Sequence, residues 1–433
     1  MKFSKKSKDL IEHFIPLMNH FIQEQNKHNK HKSDVIFKSF FTKIRQAEKK
    51  YSYLVIKKLI KRKLEQTRST EELQTDSYLN SHYVPYTIKN FIITNTKYYL
   101  IYTFPIGIRT YKIVFGIYSE DDLNFLHKYD NYIHLIILWL SIISNISNSQ
   151  CSKNLTLLLY LTPIKKILPS SILNILSPEH INSAVTTSCV KNGKILIFRK
   201  EEWFKVLLHE TFHVFGLDFA HVDTTNLSNK LLTLFPIKSN MIVTETYSEF
   251  WADIMNAVFC SYNMLDNKRN IEEFISYCEL CILFEKIFTL YQCVKILDYM
   301  NLRYYTLFRK NAICKAMRDN FYRENTNIFC YYILKNILMF NHYDFMTWCY
   351  YMNGPNVLNS KDNKDFFNEF YNFIDSQYNS KILLDAFNKL YSFHSKLNET
   401  ADNATNTTDN TTNITDTKNI LLTTTRMTIC ELV

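Results

Sequence analysis

An α+β fold is what this 433-residue sequence predicts, and three observations predict it. Runs of β-branched and aromatic residues gather between Tyr86 and Arg199, while apolar residues at helical spacing fill the chain on either side. A content of 46% hydrophobic and 15% aromatic residues supplies apolar surface for one large core or two ordinary ones.

Residues 1–75 read as a basic helical region, with Leu10, Ile11, Phe14, Ile15 and Leu17 at helical spacing and a second helix through Lys43 to Leu64. Residues 76–265 form the sheet-bearing domain. Its first segments, "YTIKNFIITNTKYYLIYTF" and "RTYKIVFGIYS", predict three strands in a meander. A buried helix around Ile133–Ile146 follows, about 14 residues of apolar run against the roughly 20 a membrane span needs, so no integral span is expected. "NLTLLLYLTP", "INSAVTTSC" and "GKILIFR" then each have strand length and composition. Helices are predicted over Glu201–Phe215, closed by Gly216 where a left-handed cap belongs, and over Thr244–Tyr262. Residues 266–395 read as a separate all-helical lobe. In 396–433 an Asn/Thr-rich stretch that cannot bury apolar area predicts a disordered linker, and the closing "ILLTTTRMTICELV" reads as a frayed terminus in preference to a docked strand.

Composition excludes several function classes. The five glycines, Gly107, Gly116, Gly193, Gly216 and Gly354, are too scattered for a phosphate-cradling loop, and no G-x-S-x-G elbow occurs. The net charge of +10 is concentrated at the front, where residues 1–68 hold 18 Lys or Arg against six Asp or Glu. Such a leader suits nucleic acid or an anionic surface, although a solvated helical face is the plainer reading. Ten cysteines without a repeating interval, and no apolar leader after Met1, predict reduced thiols and an intracellular, non-secreted protein. Cys278 and Cys281, a lone C-x-x-C in an apolar helical run, read as core residues.

The chemistry-bearing signal is "KVLLHETFHVFG", which contains H-E-x-x-H at His209, Glu210 and His213. On a helix, positions i and i+4 share a face, so both imidazoles can converge on one ion. Glu210 sits about 100° around, aimed at a metal-bound water as a general base. Val206, Leu207 and Leu208 before the motif and Thr211, Phe212, Val214 and Phe215 within and after it are what a helix buried except at its metal face requires. Two imidazoles and one carboxylate with an open fourth position suit one Zn2+ ion. A histidine at the next turn is ruled out by Phe219, leaving His221 as a poor candidate for the third donor. Downstream, "TETYSEFWADIMNAVF" carries Glu249 and Asp253 at i and i+4, and Glu245 and Glu249 stand at the same spacing.

Together these segments resemble the gluzincin clan of zinc metallopeptidases, in which H-E-x-x-H is followed by a helix bearing E-x-x-x-[DE]. "SEFWAD" is also similar to the ligand helix of anthrax lethal factor-type proteases, and the chain looks like metalloproteases encoded by large DNA viruses with AT-rich genomes. The resemblance covers Ile195 to Met255 and implies a zincin-like core: a mixed twisted sheet, the motif helix and a ligand helix. It implies Glu249 as third ligand and Asp253 as the acid orienting a ligand histidine, with Glu245 and His221 as alternative ligands. It further implies an endopeptidase acting on protein or peptide, in the host cytoplasm or virion if viral. An oxyanion donor is sought among Tyr247, His221 and Tyr262, and the substrate edge strand at Asn182, Ser183 and Ala184. Competing readings are a zincin fold without activity and a basic structural or nucleic-acid-associated protein.

Overall fold

The computed structural model describes residues 3–22, 27–66, 70–361, 363–405 and 412–432. The fold is α+β, built on a six-stranded mixed sheet: β1 (Lys61–Gln66), β2 (Tyr98–Ile106), β3 (Arg109–Ile117), β4 (Asn154–Thr162), β5 (Ala184–Thr186) and β6 (Asn192–Arg199). Their order across the sheet is β1-β2-β3-β4-β6-β5. β1, β2 and β3 run antiparallel in turn, β3, β4 and β6 are parallel, and β5 is an antiparallel edge strand with Ala184 opposite Ile197.

Two predicted segments take another form. Tyr86–Asn95 is a helix and not the first strand of a meander, because Pro85 opens it and Ile88 and Ile92, one turn apart, bury the same face against Leu196 and Phe198. In the N-terminal region the long helix Lys27–Ile56 stops short of Leu64. Lys58 adopts a left-handed φ of 52°, the chain reverses, and "KRKLEQ" becomes the edge strand β1 with mostly exposed residues. Charges along that edge discourage further strand addition.

The helical parts are not separate lobes. Leu10, Phe14, Phe37, Phe40 and Ile44 from the N-terminal helices, Trp139 and Leu157 beneath the sheet, and Leu338, Phe370 and Phe387 from the C-terminal helices share one continuous apolar core. The basic leader therefore lies on the body of the protein, with its apolar stripe inward. Across the region expected to be a disordered linker, one helix extends to Thr405 and another spans Thr412–Thr423, the stretch 406–411 lying outside the described residues.

The terminus does not fray. Thr424 to Cys430 are at most 7% exposed and thread through the core as an irregular segment. Their backbone groups are satisfied by buried acids, as buried amides demand. Glu202 Oε1 accepts from the amides of Met427 and Thr428 at 2.6 Å each, and Glu285 accepts from those of Ile429 and Cys430 at 3.2 and 2.9 Å. The reduced-cysteine expectation also changes: Cys151 and Cys189 form a disulfide, while Cys278 and Cys281 are free and buried. Among the described residues no helix is long and apolar enough to cross a membrane.

Candidate metal centre

The H-E-x-x-H residues lie on the helix Trp203–Val214, hereafter the motif helix, which is buried along Val206, Leu207, Leu208 and Phe212. Beside it runs Val243–Met264, the acidic helix, buried over nearly its whole length. The two helices meet antiparallel, so their side chains pair in rungs. Lys205 faces Glu249 and Asp253, His209 faces Glu249 and Glu245, and His213 faces Glu245.

This pairing brings three donors together. His209 Nε2 and His213 Nε2 are 3.1 Å apart, and Glu245 Oε2 lies 3.0 Å from the first and 3.5 Å from the second. His209, His213 and Glu245 form a group able to hold a metal ion. The other ring nitrogens lie against acids as well. Glu249 Oε2 is 2.8 Å from His209 Nδ1, and Asp218 Oδ2 is 2.5 Å from His213 Nδ1. Asp218 is fixed in turn by the Ser248 hydroxyl at 3.1 Å and the Ala220 amide at 3.1 Å.

The third donor is thus one helical turn from where the sequence put it. Glu249 touches the outer nitrogen of His209, and its other oxygen engages Lys205. Asp253 does not orient a histidine. It pairs with Lys335 at 2.7 Å, which also approaches Glu249 at 3.6 Å. The acids at 245, 249 and 253 share one face at i, i+4 and i+8, so sequence spacing permits two frames. The frame is chosen by Lys205, one turn before His209, which occupies the Glu249 carboxylate.

Do these residues fit a cation? With Nδ1 of each imidazole set against a carboxylate, the proton of the neutral ring belongs on Nδ1 and the lone pair on Nε2. Two such lone pairs and a carboxylate oxygen then face one another across about 3 Å, which is repulsive unless a positive charge sits among them. Protons can supply that charge. Burial alone would lower the His209 imidazole, but its hydrogen bonds to Glu245 and Glu249 outweigh burial and bring it up to about 9. His213 is likewise raised, burial being overcome by Asp218 and Glu245. A divalent cation satisfies the same excess of negative charge with all three donors deprotonated, and the acid-anchored imidazole is the usual outer shell of a metal site.

Glu210 faces the cleft and lines both of the cavities that reach His209. Burial pushes its carboxyl above the usual carboxylate range. Asn182, Ser183 and Ala184 wall the cavity beside His209 and Glu210, Ala184 opening β5 at the edge of the sheet. The Asn182 side chain is held by the Thr326 hydroxyl at 3.0 Å.

The expected oxyanion donors are elsewhere. Tyr247 is fully buried and points its hydroxyl to the Val357 carbonyl at 3.2 Å. Tyr262 packs on Phe41 and Phe274, 17 residues and about 26 Å of helix beyond Glu245. His221 is exposed and outside the donor group. A residue without a motif stands closer to the histidines. Tyr331, on the π-helical turn Phe329–Leu334, lines both cavities, and its ring lies 6.1 Å from that of His209. Only its place in an aromatic-rich helical stretch marks it in the sequence. For Asp218 the signal was present, since Gly216 turns the chain back at φ 61° and the acid two residues later returns to His213. No family model, curated protein or solved structure matches the chain.

Proposed function

We propose that this protein is a zinc-dependent endopeptidase with a zincin-like core, its ion held by His209, His213 and Glu245. The observation that carries the reading is the convergence of two acid-anchored imidazole Nε2 atoms and one carboxylate oxygen beside an unligated, cleft-facing Glu210. In this frame the E-x-x-x-[DE] pattern of the gluzincin resemblance is kept by Glu245 and Glu249. Bound zinc would lower the pKa of a coordinated water to about 7 and polarise a carbonyl.

The remaining work falls to the chain itself. Glu210, its carboxylate made more basic by burial, takes a proton from the attacking water and returns it to the departing amine. Glu249 and Asp218 hold the imidazoles with Nε2 free for the ion. Extended substrate adds to the edge at β5, where Ala184 offers backbone hydrogen bonds, and a stretch of polypeptide is what an open sheet edge selects. Tyr331 donates from its hydroxyl to the developing oxyanion.

The experiment is metal analysis of the purified protein combined with peptide-cleavage assays on Glu210→Gln and His213→Ala. Stoichiometric zinc is expected in the wild type and in Glu210→Gln, with turnover in that variant reduced about 10²–10⁴-fold, and His213→Ala is expected to lose the metal. Full turnover in Glu210→Gln, or no metal in the wild type, removes the reading.

A further inference from the structure

Beside His209 and Glu210 lies a cavity of about 50 Å³, which shares Asn182, Ala184, His209, Glu210 and Tyr331 with a wider cleft of about 260 Å³. Its walls include Ser183 and Ala184 at the start of the edge strand, Val206 of the motif helix, Tyr331, and Met427 of the buried C-terminal segment. Apart from Glu210, the acids and lysines that reach it are paired with one another. Lys166 pairs with Glu202 at 2.6 Å and Lys205 with Glu249, so the one charged group the cavity offers without an ion-pair partner is the Glu210 carboxyl. Among its neutral side chains, the Ser183 hydroxyl, on a residue 6% exposed, has no hydrogen-bond partner. A buried hydroxyl without a partner is a standing cost that an occupant's polar group would remove.

We infer that this cavity is a side-chain subsite next to the scissile bond, that it takes a short neutral side chain bearing one hydrogen-bonding group, threonine above all, and that the Met427 wall limits its size. The inference rests on the peptidase reading above. Size follows from volume. A water needs about 10–15 Å³ of such space, so the cavity holds about four waters or a side chain of about as many heavy atoms. Aromatic and long basic side chains are too large, and an acid would set a second unpaired carboxyl beside Glu210. Met427 Sδ lies 3.9 Å from Lys205 Nζ and its amide is pinned by Glu202, so one wall of the cavity is fixed in place by the C-terminal segment. Met427 and Ser183 are thus specificity-determining residues that stand outside the H-E-x-x-H signature.

The test is cleavage of a randomised peptide mixture by the zinc-loaded full-length protein, with the products sequenced by mass spectrometry, for the wild type, Met427→Ala and Ser183→Ala. The wild type is expected to select threonine at one position flanking the cut. In Met427→Ala the ratio of leucine or phenylalanine to threonine there should rise at least tenfold, since a single methylene in such a pocket is worth about tenfold or more. In Ser183→Ala, which removes a hydroxyl that has no partner and so spares the fold, the threonine-over-valine preference should drop about tenfold. If peptides are cut but both variants keep the wild-type profile, the subsite is overturned and the peptidase reading stands. If Met427→Ala fails to fold, the Ser183→Ala profile decides alone. No cleavage by the wild type overturns both readings.

Discussion

Glu245, Glu249 and Asp253 have nearly the same chemistry in the sequence and three different tasks in the fold. What separates them is which cation each meets: Glu245 two imidazole Nε2 atoms, Glu249 the His209 Nδ1 and Lys205, Asp253 the Lys335 ammonium. The ion pairs leave their mark on proton affinity. Burial alone would raise Glu245, yet His213 and His209 hold it below the carboxylate range, whereas burial prevails at Asp253 and raises it. Substituting the acids one at a time should reveal the frame. Glu245→Gln removes a donor and is expected to abolish tight zinc binding. Glu249→Gln leaves all three donors in place and should weaken binding only about 10–100-fold, the usual effect of losing an acid that orients a ligand. Competition against a zinc chelator reads both, and the reverse order of effects would return the ligand role to Glu249. Sequence spacing made His209, Glu210 and His213 legible because i and i+4 on one helix need no knowledge of the rest of the fold. It could not choose among three acids on one face of another helix, since that choice depends on how far one helix has slid along its neighbour.

At the level of the element, the same contrast between local and long-range information holds. The motif helix, the acidic helix, β4 and β6 were legible from periodicity alone, because their burial is dictated by their own residues. The segments Tyr86–Asn95 and Lys61–Gln66 were not. A ten-residue run rich in isoleucine and threonine has strand propensity, and only its docking of Ile88 and Ile92 on one small cluster makes it a helix. "KRKLEQ" has no apolar alternation, and it is a strand because β2 offers it a free edge. The end of the motif helix depends on a single backbone conformation. Gly216 stands at φ 61°, and a Cβ there would meet Cys151 Sγ at 3.2 Å and Cys189 Cβ at 3.3 Å. Gly216→Ala therefore combines a left-handed penalty of about 1–2 kcal/mol with crowding against the disulfide. Its denaturation midpoint should fall accordingly, and zinc affinity should fall with it, because the same turn returns Asp218 to His213. Unchanged stability would mean that the turn relaxes at no cost.

For the molecule as a whole, the least expected feature is how much of the interior is organised around buried acids that hold the terminal segment. Glu202 and Glu285 together accept from four successive backbone amides, Met427 to Cys430, and Arg426 spans Glu201 at 3.0 Å and Glu431 at 3.4 Å. Low apolar content in 396–418 suggested an unattached end, but attachment here is by hydrogen bonds to acids distant in sequence, which no local pattern records. Glu285 is the acid with a consequence for stability against pH. Burial and the nearby Asp253 push its carboxyl up to about 7, against an ordinary value near 4.5, in spite of hydrogen bonds from Thr428, Cys430 and Ile429. A carboxyl raised on folding binds its proton more tightly in the native state. Its contribution is therefore fully present below about pH 4.5 and is lost as pH rises towards 7, by up to about 1.4 kcal/mol per pH unit. Other acids in the protein, such as Glu201 at about 2, titrate lower and with the opposite sign, so the measurement has to be a difference. Urea unfolding of the wild type and of Glu285→Gln, which keeps the shape and stays neutral, should give free energies that diverge across pH 4.5–7, the wild type losing stability relative to the variant. Parallel curves over that range would show that Glu285 is ionised in the folded protein, with its charge carried by the amides of the terminal segment alone.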